Sequence, residues 1–262
     1  MVAQVLDDAL SQRPPGRGAR VYAIAGLQGC GKSTLAAQVA ALARGRGLRV
    51  ATLSIDDVYL GRRERQQLAR DVHPLLATRG PPGTHDLALA CGTLDALRTG
   101  GIARLPRFDK LGDRRLPPSR WRTVRAVDLV VFEGWCLKVP AEDAAALRAP
   151  VNTLERDEDP HGVWRGWCND ALGRDYPALW ARVDRLLWLQ PPDFAPVALW
   201  RWQQEQSLRA ARGGHGGMTR KGVERFVQHF ERVSRRALGT LPAIADRTLT
   251  LDARRRVTAG PT

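Results

Sequence analysis

The run Gly26-Leu27-Gln28-Gly29-Cys30-Gly31-Lys32-Ser33 has the residue types and spacing that hold a polyphosphate. Its glycines let the main chain curl until successive N–H groups face one point, and a helix that starts there adds partial positive charge. Lys32 is placed to reach β- and γ-phosphates, and the Ser33 hydroxyl is a ligand for Mg²⁺. The flanks agree: Val21 to Ala25 read as a short buried strand entering the loop, and Thr34 to Ala43 as the helix leaving it. The expected nucleotide-binding set is Gly26, Gln28, Gly29, Cys30, Gly31, Lys32, Ser33 and Thr34, with a nucleoside triphosphate as the ligand.

Carboxylates follow at the ends of apolar runs. Asp128-Leu-Val-Val-Phe132 reads as a core strand that delivers Glu133 to the loop, the placement of a Mg²⁺-holding acid. Asp56 and Asp57 close a second apolar run, Leu48 to Ile55. In an open parallel sheet, strand carboxyl ends face the ligand crevice, so Asp56 is placed to accept a proton from an acceptor hydroxyl. Asp57 reads equally as a solvated turn residue. In the Pro/Gly-rich loop 79–86, His85 can hydrogen-bond a substrate, and Asp86 can do so or cap the next helix. Pro106-Arg-Phe-Asp-Lys110 with Gly112-Asp-Arg114 concentrates charge that is either a solvated surface or a cradle for an anionic acceptor. Arg201, Glu205 and Arg209 repeat at i, i+4 and i+8, and Arg212 follows. They form a salt-bridged ladder, a lid that brings guanidinium onto the γ-phosphate, or both.

The elements that must hold these residues alternate. Strands are expected at 21–25, 48–55, 128–132, 183–189 and 248–251. Helices are expected at 61–76, 87–97, about 194–212 and about 219–237, besides the one after the loop, and residues 1–12 as a loose helix. That is an α/β chain with a mainly parallel five-stranded sheet between helical layers. One domain spanning 1–262 is expected, with residues 1–19 as an N-terminal extension and 253–262 as a frayed tail. No apolar stretch approaches membrane-spanning length, the N-terminus lacks signal-peptide features, and the four cysteines have no metal-type spacing, so a cytoplasmic chain with reduced thiols is expected. The net charge of +14 comes almost wholly from dispersed arginine, with no basic run interleaved with aromatics. It argues for attraction of small anionic substrates rather than specific nucleic-acid binding. The tryptophans crowding the C-terminal half read as core.

Taken in order, these segments resemble the plant-type D-glycerate 3-kinases, within the P-loop kinases that include uridine kinase, phosphoribulokinase and pantothenate kinase. The resemblance runs through Gly29-Cys-Gly-Lys-Ser33, Ser54-Ile-Asp-Asp-Val-Tyr-Leu60, Arg79-Gly80, Gly83-Thr-His-Asp86 and Pro106-Arg-Phe-Asp-Lys110. It continues in Gly112-Asp-Arg114, Phe132-Glu-Gly-Trp135, Val151-Asn152, Arg201-Trp-Gln-Gln-Glu205, Leu208-Arg209, Gly217-Met218 and Phe226-Val227. It implies the three-layer α/β/α P-loop fold with a helical lid, ATP and Mg²⁺, and a small anionic or polar alcohol as acceptor. D-glycerate, giving 3-phosphoglycerate, is the acceptor it implies first. It further implies Lys32, Ser33 and Glu133 at ATP-Mg²⁺, Asp56 as acceptor-side base, and Arg201 and Arg209 in the lid. Tyr59, Arg79, His85, Asp86, Arg107 and Lys110 complete the acceptor side. The chain is expected as a monomer or homodimer without membrane partners. The rival readings are another alcohol acceptor, such as a nucleoside, a pantothenate-like compound or a sugar acid, and a regulatory nucleotide-dependent ATPase.

Overall fold

Strands alternate with helices as the apolar runs require in the computed structural model, which describes residues 1–11, 18–210 and 217–259. Residues 13–17 of the proline-rich turn, and Arg212 with the glycine-rich stretch through 216, lie outside the described residues. The elements begin with α1 (Val2–Leu10), β1 (Arg20–Gly26), α2 (Lys32–Gly45), β2 (Val50–Ser54), α3 (Arg62–Asp71) and α4 (Leu87–Arg98). Four short strands follow, β3 (Ile102–Leu105), β4 (Phe108–Asp109), β5 (Arg114–Arg115) and β6 (Arg122–Arg125), and then β7 (Leu129–Gly134). The second half holds α5 (Thr153–Glu158), α6 (Val163–Arg174), α7 (Pro177–Trp180), β8 (Arg185–Gln190), α8 (Pro196–Ala210), α9 (Arg220–Ile244), β9 (Arg247–Leu251) and β10 (Val257–Ala259).

The main sheet runs β10-β9-β8-β1-β7-β2. Every neighbouring pair is parallel except β10 with β9. β1 is buried along its whole length because helices cover both faces, which is why it reads as an unbroken apolar run. Side-chain alternation sorts the layers. Tyr22 and Ile24 of β1 pack with Leu129 and Val131 of β7 beneath α1 and α2. Val21, Ala23 and Ala25 pack with Val130 and Phe132 beneath α4 and α9.

The structure departs from the sequence reading in four places. A sixth strand, β10, forms inside the stretch expected to fray, because its backbone finds the open edge of β9. The helix expected through 76 stops at Asp71; Pro74, which has no N–H to donate, instead opens a short 3₁₀ turn to Ala77. The charged stretch from 106 to 114 holds most of a small hairpin, β4 with β5, and a second pair, β3 with β6, brackets it. The N-terminal helix is docked rather than loose: Val5, Leu6 and Ala9 are fully buried, and Tyr22 and Arg185 both donate to Asp8. No helix among the described residues is long and apolar enough to cross a membrane.

One buried cation ties the loop at 140–151 to α9. Arg232 donates to both Glu155 oxygens, to Glu142, and to the carbonyls of Ala146 and Ala149. Glu155 is itself fully buried. Replacing Arg232→Ala leaves that carboxylate unpaired, so urea denaturation should show a loss of about 3–5 kcal/mol.

Candidate active site

Gly29 and Gly31 have φ of 78° and 103°, the left-handed region that a side chain resists. A Cβ on Gly29 would lie 2.6 Å from Trp200 Cβ, whereas one on Gly31 would meet nothing within 4 Å. The loop is therefore pressed against the start of α8 on one side and open on the other, at the N-terminus of α2. There the first helical N–H groups have no partner four residues back. Lys32 is buried and its ammonium donates to the Leu27 carbonyl at 2.9 Å, folded over its own loop. Cys30 spends its N–H on the same carbonyl and its side chain on the core, where burial raises its thiol pKa against the pull of Lys32. Both amide atoms of Gln28 are buried without a partner among the described residues.

Glu133 reaches this loop by strand periodicity. Leu129 and Val131 face α2, so Glu133, two residues on, faces it too. Ser33 donates its hydroxyl to Glu133 Oε1 at 2.9 Å. Two hard oxygens thus meet at the mouth of the loop. No group of three or more His, Cys, Asp or Glu that could hold a metal occurs among the described residues. A pair of protein oxygens suits Mg²⁺, which takes its remaining ligands from water and substrate phosphates.

Asp56 lies one strand over. β2 pairs with β7 so that Ser54 is opposite Glu133, and the chain then turns through Ile55–Val58 with the Ser54 hydroxyl accepting from Asp56 N–H. Asp56 Oδ1 accepts from Tyr59 O–H at 2.5 Å, and Oδ2 from Lys110 Nζ at 2.5 Å. Burial pushes the Asp56 carboxyl up, but the Lys110 charge, both hydrogen bonds and Lys32 outweigh it and hold it at about 2. Asp57 behaves oppositely. Burial, with Asp56 beside it, lifts its carboxyl to about 6 although it accepts from Phe108 N–H.

The acceptor-side loop is stitched to this turn. Asp86 N–H donates to Val58 O and Leu60 N–H to Thr84 O, which sets His85 across from Tyr59 with their rings 5.0 Å apart. His85 bonds through Nδ1 to Tyr176 O–H, while its Nε2 has no partner among the described residues. Burial lowers its pKa to about 4 against the pull of Asp56, so the ring is neutral at pH 7. Asp86 caps α4 through Leu89 N–H and pairs with Arg115 at 2.9 Å. Arg79 shares Asp113 with the buried Arg65 and lies over the Phe108 ring. Arg107 is exposed, close enough to Asp57 to lower its pKa.

On α8, Arg201 pairs with Glu205 at 3.0 Å and lies over the Phe226 ring. Burial lowers its pKa, and it also feels the charges of Arg79 and Asp56. The spacing ladder and the approach to the site therefore coexist in one side chain. Arg209 bonds the Met218 carbonyl and lies over Trp202, farther along the helix.

Of the residues singled out from sequence, Lys32, Ser33, Asp56, Tyr59, Lys110, Glu133 and Arg201 are brought into one cluster. Asp86 is turned to capping and ion pairing instead. Arg65, Arg115, Tyr176 and Trp200 were missed. A lone arginine, tyrosine or tryptophan in a helix or hairpin carries no local signal of such contacts. A separate hollow between α6 and α9, lined by Trp164, Cys168, His229 and Val233, shares none of this machinery.

No protein-family model matches the chain. It is 32% identical over 229 residues to mug58, an uncharacterized kinase of Schizosaccharomyces pombe, covering 83% of this chain and 80% of the yeast protein. It is 31% identical over 244 residues to the chloroplastic D-glycerate 3-kinase of Arabidopsis thaliana. That match covers 86% of this chain and 50% of the plant enzyme. Among solved structures, D-glycerate 3-kinase of Cryptococcus neoformans var. grubii matches with a TM-score of 0.81 and 26% identity, over 100% of this chain and 96% of the fungal one. The fold expected from the sequence is the fold of that kinase.

The raised Asp57 carboxyl has a sign that can be tested. Folded, it holds its proton up to about pH 6, against an ordinary 3.8. Between those values the folded state binds more protons, so stability falls as pH rises, and the penalty is complete above pH 6. Asp57→Asn keeps the oxygen that meets Phe108 N–H and removes the charge. Thermal or urea unfolding should find the variant more stable by about 1–2 kcal/mol at pH 8, with the gain vanishing by pH 4.

Proposed function

This chain belongs to the P-loop kinase family that includes D-glycerate 3-kinase, and we propose that it transfers the γ-phosphoryl group of ATP to D-glycerate, giving 3-phosphoglycerate. The observation that carries this reading is the meeting of the Ser33–Glu133 oxygen pair with Asp56 one strand away, ringed by Lys32, Lys110, Arg79 and Arg201. Such a site has one place for a polyphosphate, one for a proton acceptor and an excess of cations for an acidic substrate. The names of the plant and fungal relatives support D-glycerate among such acids.

The curled loop and Lys32 hold the β- and γ-phosphates, and the orphaned Gln28 amide is available to the nucleotide. Ser33 and Glu133 would hold Mg²⁺, which when bound would supply positive charge to the nucleotide phosphates. Asp56 orients the acceptor hydroxyl and takes its proton late, since a loose transition state asks little basicity early. Arg201 supports the charge on the transferring group from the α8 side. His85 Nε2, on a neutral ring and without a partner among the described residues, and Lys110 are the groups for the acceptor's oxygens, with Arg107 at the rim. Tyr59 holds Asp56, Arg79 supports the β4–β5 turn through Asp113, and Asp86 positions α4.

The test is ADP release by the purified protein with D-glycerate, glycerol, uridine and pantothenate offered in turn. D-glycerate should stimulate release most strongly and yield 3-phosphoglycerate by NMR; no stimulation by D-glycerate overturns the assignment. Lys32→Ala should abolish turnover. Asp56→Asn should lower kcat about 100-fold or more while leaving ATP affinity unchanged, and an unchanged kcat removes Asp56 from its role. Arg201→Ala should lower kcat by about 100-fold with acceptor KM little altered.

A further inference from the structure

The base proposed for the reaction is covered. Both Asp56 oxygens are engaged, one by the Tyr59 hydroxyl and one by the Lys110 ammonium. Each oxygen keeps a further lone pair, but an ammonium 2.5 Å from Oδ2 occupies that oxygen and weakens the carboxylate as a proton acceptor.

The surrounding cations differ in what they hold. Arg65 and Arg79 share Asp113, Arg115 pairs with Asp86 and with the Tyr59 carbonyl, and Arg201 pairs with Glu205. None of those acids is asked to take a proton. Lys110 alone among these cations is paired with the base itself. It stands on the four-residue turn between β4 and β5, with its side chain 55% exposed, so it is free to swing away from the site. For an ammonium that stays half exposed, exchanging one carboxylate partner for another changes the free energy little.

We propose that Lys110 masks Asp56 until the carboxylate of the acceptor draws the ammonium away, so that an acid substrate uncovers its own base. The idea rests on the acceptor being a carboxylic acid, as in the reading above. With Lys110 moved, Asp56 Oδ2 receives the hydrogen bond of the acceptor hydroxyl. The acceptor O–Pγ bond forms as the bond from Pγ to the bridging β-oxygen breaks, ADP leaves with that electron pair, and the hydroxyl proton ends on Asp56. Lys32 and Arg201 still favour the ionised base, while Asp57 opposes it and neutral His85 leaves it unchanged in charge. Without an acid in the site, water meets a covered base, and ATP is spared from hydrolysis.

Lys110→Gln and Lys110→Arg test this by ADP release with no acceptor, with D-glycerate, and with glycerol, which keeps the hydroxyls and lacks the carboxylate. In Lys110→Gln, acceptor-free hydrolysis should rise several-fold, and the preference for D-glycerate over glycerol in kcat/KM should fall about tenfold or more. Lys110→Arg should retain both wild-type properties in large part. Acceptor-free hydrolysis at the wild-type rate in Lys110→Gln overturns the masking, and an unchanged preference overturns the role of the carboxylate. The acceptor-free arm needs no acceptor, so it reads the masking even if wild-type protein ignores D-glycerate, a result that would count against the proposed acceptor by itself.

Discussion

The parallel register of β1, β7 and β2 is the constraint on which the site depends. Ile24 lies opposite Glu133, which lies opposite Ser54, so three strands end at one level. The glycine-rich loop leaves the first strand, Glu133 ends the second, and the turn to Asp56 leaves the third. Side-chain direction has a period of two, so a one-residue slip of β7 would send Glu133 into the layer beneath α4 and α9. Leu129 and Val131, packed under α1 and α2, hold it in place. The apolar residues of β7 thus fix where the Glu133 carboxylate points.

Arginine has two uses here. Arg65, Arg165 and Arg232 are buried, each bound to a carboxylate. Arg65 and Arg232 cross-link segments 48 and 77 residues apart, Arg165 closes a local turn with Asp159, and arginines paired in this way add nothing to the net charge. Around the site the pattern is different. Burial raises both adjacent carboxyls, but at Asp56 the Lys110 ammonium and the hydrogen bonds overcome it while at Asp57 they do not, which leaves pKa values of about 2 and about 6. Neighbours in sequence are separated chemically by what packs on them.

Much of this was legible before any coordinates. The loop motif, the apolar run ending in Glu133 and the Asp pair after β2 are all local patterns in which residue type dictates backbone shape or strand direction. Even the Arg201–Glu205 pair follows from helical spacing. Illegible were the short strands β3 to β6, whose two to four residues carry no periodicity, and the docking of the C-terminal strand β10, which is drawn to an open edge of the sheet rather than by its own composition. Asp86 was readable as a cap or a ligand, and the tertiary structure supplies the cap on Leu89 N–H together with an Arg115 ion pair that no spacing announced.

By itself, the sequence determined that a tight glycine loop begins at Gly26 and that acids lie at or just past the ends of two core strands, because glycine dihedrals and strand alternation act over a few residues. The tertiary structure alone decided that Lys110 closes on Asp56 from 54 residues away and that Tyr176 reaches His85 across 91. Such contacts arise when hairpins and helices dock on the finished sheet, and their strength depends on burial and distance, which no local spacing encodes.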